Sequence, residues 1–171
     1  MVTKQTSPQA ETAARFAQKL FRELQQAILR HETGALTGEV EAIHDMRVGI
    51  RRLRVALGNF AVCLSKEDRQ RLRARLEHLA DALGGTRDLD VMINALKSKQ
   101  ANKSEEERES INAFIRGLRA RRRHRHGQLV NYLRSHEYAE FMGEFQTGRE
   151  QELASKDYGA GFEEAEDEQA A

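Results

Sequence analysis

The sequence has no tryptophan, one proline (Pro8) and one cysteine (Cys63), and each shortage excludes something. A lone thiol cannot close an intramolecular disulfide, so the fold rests on packing and suits a reducing compartment. With proline confined to Pro8, no later residue breaks a helix by removing a backbone donor. No run approaches the ~20 apolar residues of a membrane span. The N-terminal MVTKQTSPQAETAA lacks the apolar segment of a secretory signal. A cytoplasmic location is expected. Alternating apolar and polar residues, the mark of a half-buried strand, are also missing.

What is present is charge. Of 171 residues 32% are charged, yet the formal net charge is only +1. That total hides an asymmetry: residues 1–136 carry 26 Lys+Arg against 16 Asp+Glu, whereas residues 137–171 carry 2 against 11. A body of +10 suits an anionic partner. Residues 146–171 read as an acidic tail whose end, GFEEAEDEQAA, has too little apolar content to order itself. It either solubilises the chain or folds back onto the basic body.

Everything before that tail reads as helix. Ser7 and Pro8 suit a cap and first helical position, and Phe16, Leu20, Leu24, Ala27 and His31 follow at helical spacing before Thr33-Gly34. A second helix, from near Gly38, carries Met46, Ile50, Leu53, Leu57, Phe60 and Leu64. Ser65 caps a third with Leu72, Leu76, Leu79 and Leu83, which Gly84-Gly85 is expected to stop. Thr86 would then cap a short fourth helix, with Asp88 and Asp90 in its first turn. Ser104 to Glu107 form a capping box opening a long fifth helix to about Arg134, and Ser135 opens a last one with Tyr138, Phe141 and Phe145. The expected fold is all-α: an antiparallel bundle of about four to six helices over residues 8–145.

A helix turns about 100° per residue, so each cation can be placed against its apolar stripe. On the second helix His44, Arg47, Arg51 and Arg54 share one flank, while Arg52 lies with Asp45 and Glu41 on a solvated side. On the third, Arg71, Arg75 and His78 share a flank and Arg73, Glu77 and Asp81 point away. On the fifth, Arg122 and Arg125 interrupt the stripe of Ile111, Leu118 and Leu129. A run of charge is ordinarily a solvated face, and a lone histidine ordinarily a packing or capping group. Unpaired arginines beside or within the apolar stripes of three helices are costly, however, unless they open onto water or an anion. A groove between the second, third and fifth helices reconciles these observations, and arginine's planar fork suits phosphate oxygens.

Two segments carry a resemblance. His44-Asp45-Met46-Arg47-Val48-Gly49-Ile50-Arg51-Arg52-Leu53-Arg54 resembles the signature of the CHAD family, the conserved histidine α-helical domain. Leu83-Gly84-Gly85-Thr86-Arg87-Asp88-Leu89-Asp90-Val91 resembles its second signature. The likeness implies a helical domain that binds inorganic polyphosphate, with anion contacts from His44, Arg47, Arg51 and Arg54 and a supporting role for Arg87, Asp88 and Asp90. By the groove argument Arg71, Arg75, His78, Arg122 and Arg125 join that set. The family usually has two similar bundles related by a pseudo-twofold, whereas this chain carries one copy of the first signature. It reads as half of a CHAD domain, a half-length member or a fragment, which a homodimer would complete.

A nucleic-acid binder would also use a basic face, but the basic segments lack interleaved aromatics for stacking and no groove-reading motif appears. A phosphoanhydride enzyme would need carboxylates for Mg²⁺, and Asp88 and Asp90 stand without a Gly-rich phosphate loop. No HxxxH or HxxE spacing supports a metal site, and no cofactor is expected.

Overall fold

Two serines start the longest elements. The Ser65 hydroxyl accepts the Asp68 amide at 3.0 Å. Ser104 accepts the Glu107 amide at 3.3 Å while the Glu107 carboxylate accepts the Ser104 amide at 2.9 Å, a reciprocal capping box. The computed structural model describes residues 8–100 and 102–146; the remainder of the acidic tail lies outside them. In chain order the helices are α1 (Pro8–Leu29), α2 (Glu32–Thr37), α3 (Val40–Asn59), α4 (Lys66–Ser98), α5 (Glu105–Leu133) and α6 (His136–Gln146), with a 3₁₀ turn at Ala61–Cys63. No strand occurs among the described residues, and none of their helices is long and apolar enough to cross a membrane.

The connections are short, so consecutive long helices run antiparallel. Arg47 and Arg54 of α3 pair with Asp88 and Glu77 of α4 in reverse order, and α6 returns along α4, with Glu137 at His78 and Glu144 at Arg75. Ile28, Ile43, Met46, Ile50, Leu53, Leu76, Leu79, Leu83, Leu129 and Phe141 are fully buried between them. Each such side chain contributes about 1.5–3 kcal/mol relative to exposure. Past this core α4 and α5 continue as a two-helix arm around Ile93, Ile115 and Leu118.

Three local expectations change. Phe16, expected in the core stripe of α1, is 57% exposed, because Ala14, Ala17, Phe21 and Ile28 carry the buried stripe instead. The first break falls at Arg30-His31, and Thr33-Gly34 lie inside α2. The stopping glycine is Gly38, with φ 85° and its amide bonded to the Ala35 carbonyl at 3.2 Å. Gly34 serves packing: a Cβ there would stand 2.5 Å from the Ala42 Cβ. Finally, α4 does not stop at Gly84-Gly85 but runs through them. Each interior glycine costs roughly 0.5–1 kcal/mol relative to alanine, and burial of Leu79, Leu83 and Ile93 on either side offsets it. Thr86, expected as a cap, is buried mid-helix.

Candidate anion-binding groove

The phase of α3 is set by a clamp from α5. Arg122 donates to both oxygens of Asp90, through Nε to one and through Nη2 to the other at 3.2 Å. The same Nη2 donates to the Gly38 carbonyl at 2.8 Å. One turn on, the His126 Nε2 donates to the Ala35 carbonyl at 2.9 Å, and its ring covers Gly38 so closely that a Cβ there would lie 3.1 Å from Cε1. The turn before α3 is thereby held against α5, which fixes where α3 begins and which way its arginines face.

From that start His44, Arg47, Arg51 and Arg54 follow at steps of three and four, one face of a helix. Arg47 donates to Asp88 at 3.1 Å, and its Nη1 would lie 3.7 Å from a Cβ at Gly84. From the other side Arg125 of α5 crosses the adjacent residue, its Cδ standing 3.4 Å from where a Cβ of Gly85 would be. The two glycines thus form a floor without side chains, over which guanidinium groups from two helices lie. Toward the α3 C-terminus Arg54 donates to Glu77 at 3.5 Å, and Arg73 donates to the same oxygen at 3.1 Å. The Arg51 side chain makes no hydrogen bond or ion pair among the described residues. With Arg54, Gly58, Arg69 and Arg73 it lines a cavity of about 480 Å³ between α3 and α4.

The structure therefore brings Arg47, Arg51, Arg54 and Arg125 to the exposed edges of α4. His44 lies half-buried on the same side of α3. It sets the other candidates elsewhere. Arg71 and Arg75 face α6, where Glu144 takes Arg75 at 2.7 Å and Arg71 at 3.5 Å, and Arg75 lies 6.0 Å from the Phe141 ring centre. His78 sits against the Tyr132 ring at 4.5 Å and within 3.5 Å of Glu137. Arg122 belongs to the clamp. In the second signature Asp88 is 71% exposed and Asp90 4%, because two residues along a helix turn a side chain by about 200°; Arg87 is half-buried beside them.

Sequence reasoning missed Arg69 and Arg73. The signal was present: they flank the Leu72 stripe on the side opposite Arg71 and Arg75. A helical wheel shows both flanks but not which one meets α3. The same corner packing anchors α6, where the Tyr138 hydroxyl donates to Glu32 at 2.8 Å; burial first, then that carboxylate, push the phenol far above its ordinary range.

Arginines from two helices thus lie beside Gly84 and Gly85, and among the described residues no group of three His, Cys, Asp or Glu side chains could hold a metal ion. Residues 19–168 match the CHAD domain family, so the chain belongs to it. That match runs on from the bundle into the acidic segment. No curated protein matches the chain.

Proposed function

We propose that this protein binds inorganic polyphosphate along the edge of α4, through Arg47, Arg51, Arg54 and Arg125, without catalysing a reaction on it. The observation that carries the reading is the Gly84-Gly85 floor, crossed by Arg47 from one helix and Arg125 from another. Arg47 Nη1 and Arg125 Cδ stand 3.7 and 3.4 Å from where a Cβ would be at these glycines, so both side chains lie close along α4 and can reach a shared ligand. A repeating phosphate chain can engage such a ladder group by group, each charge-assisted contact adding about 1.5–3 kcal/mol. Family membership points the same way. Support for binding alone comes from the carboxylates: Asp88 is held by Arg47 and Asp90 by Arg122 on the far side of α4, so they do not converge on one Mg²⁺.

The test is a salt titration of polyphosphate binding, since counterion release makes polyanion affinity fall steeply with ionic strength. Arg47→Gln with Arg51→Gln should weaken binding at least about 100-fold and flatten the salt slope by roughly 1.4. Unchanged affinity in that variant rejects the groove, and duplex DNA or RNA outcompeting polyphosphate rejects the ligand. The groove is open on the exposed side of α4, and a second copy related by a twofold would face it with another arginine ladder. Sedimentation with and without polyphosphate tests that dimer, which a monomer under both conditions excludes.

A further inference from the structure

The groove has two unlike ends. Beside Gly84-Gly85 it lies open along the arm, whereas at the other end α3 and α4 are joined covalently through Phe60 to Ser65. The cavity of Arg51, Arg54, Arg69 and Arg73 lies at this joined end: Gly58 is the penultimate residue of α3, and Arg69 stands in the first turn of α4. A chain lying between the helices cannot pass through that connection. Four arginines therefore line the space where the groove ends, beside Val55 and Leu57, and among the described residues Glu77 is the carboxylate that pairs with them, through Arg54 and Arg73. The Arg51 and Arg69 side chains keep their full donor sets, with no side-chain hydrogen bond or ion pair among the described residues.

This excess of charge matches one part of a linear polyphosphate and not the rest. An internal phosphoryl group carries a single negative charge. The terminal group carries a second ionisation near pH ~6, as a phosphate monoester does, and three free oxygens. Arginine forks reward that charge and geometry. We infer that the Arg51, Arg54, Arg69 and Arg73 pocket is a terminus-binding subsite, which seats the end phosphoryl group of the chain while the following groups run toward Arg47 and Arg125. The distance is adequate: Arg69 to Asp88 is nineteen residues of α4, or ~28 Å at 1.5 Å per residue. Glu77 holds Arg54 and Arg73 at the pocket mouth in the free protein, and the incoming phosphoryl oxygens take its place. The inference rests on polyphosphate being the ligand, and it makes the protein a reader of chain ends rather than of chain length.

Linear and cyclic hexaphosphate separate these ideas, because the ring has phosphoryl groups but no terminus. The full chain should bind the linear form about tenfold more tightly, the worth of one charge-assisted hydrogen bond. In Arg69→Gln with Arg73→Gln the two forms should come within about twofold, through loss of linear affinity alone. Both side chains are exposed, so helicity and thermal unfolding should be unchanged. As a second reading, capacity measured at constant total phosphate should rise as one long polymer is cut into more chains. Equal affinity for the two forms in the natural sequence, or a parallel loss of both in the variant, overturns the terminus assignment while leaving the groove standing. Failure of both forms to bind overturns the polyphosphate reading itself.

Discussion

Arg122 of α5 grips both carboxylate oxygens of the buried Asp90 in α4, and its partly buried guanidinium also holds the Gly38 carbonyl ahead of α3. The contact joins three helices at one point, so its removal strands a charge rather than deleting a simple attraction. Asp90→Ala should destabilise the fold by about 3–5 kcal/mol, the usual consequence of leaving a buried ion unpaired. Urea unfolding should show a lower midpoint at unchanged slope. A loss below about 1 kcal/mol would show that water reaches Arg122 and that the clamp is decorative.

Arg51 and Arg75 make a matched comparison, since both are arginines on helix flanks with opposite surroundings. Arg75 is engaged by Glu144 at 2.7 Å, and Arg51 has no partner among the described residues. Arg75→Gln should cost about 1–3 kcal/mol of stability and leave polyphosphate affinity intact. Arg51→Gln should do the reverse, lowering affinity about tenfold with an unchanged melting curve. Paired melting and binding measurements on the two variants decide whether the cations have been sorted correctly.

Glycines on two helix faces should respond to alanine with opposite signs. At Gly84 a methyl group meets only the end of Arg47, 3.7 Å away, so Gly84→Ala should stabilise by roughly 0.5–1 kcal/mol. At Gly49 a methyl group would stand 2.8 Å from Ile28 Cγ1, in the core between α1 and α3. Gly49→Ala should destabilise by about 1–3 kcal/mol through overpacking. Chemical denaturation of the two variants checks the signs directly.

The first turn of α5 should fray in acid. Glu107 has its carboxyl pulled below the ordinary range, first by the Lys103 hydrogen bond and next by the Ser104 amide. A folded-state value lower than the unfolded one means that the contribution is present above the usual carboxylate value of about 4.3 and is lost as pH falls through the lowered value. Amide exchange over Glu105–Arg108 should therefore quicken on acidification relative to the middle of α5. In Glu107→Ala it should be fast at every pH.

Much of the scaffold was legible because its signals are local. Ser65, Ser104 and Ser135 announce the starts of α4, α5 and α6, and the stripes Leu72-Leu76-Leu79-Leu83 and Tyr138-Phe141-Phe145 are buried as their spacing implies. Gly84-Gly85-Thr86 misled for a physical reason: the same residues that end a helix when exposed also make room inside one, and only tertiary packing decides between the two. The groove was legible on α3 but not on α4. Whether Arg73 or Arg75 meets α3 depends on the handedness with which the helices pack, and acids far away in sequence, such as Glu144, choose which arginines are neutralised.

The unbroken course of α4 through Gly84-Gly85 has a consequence for how this sequence can vary. Gly85 belongs to the open floor and Asp90 to the clamp, and only four residues of one rigid helix separate them. One residue inserted between them would swing Asp90 about 100° away from Arg122 while leaving the floor where it is. No loop intervenes to absorb the slip. The interval acts as a reading frame in space, in which substitutions can accumulate but a single insertion or deletion puts the arginine-covered glycine face and its anchor out of phase.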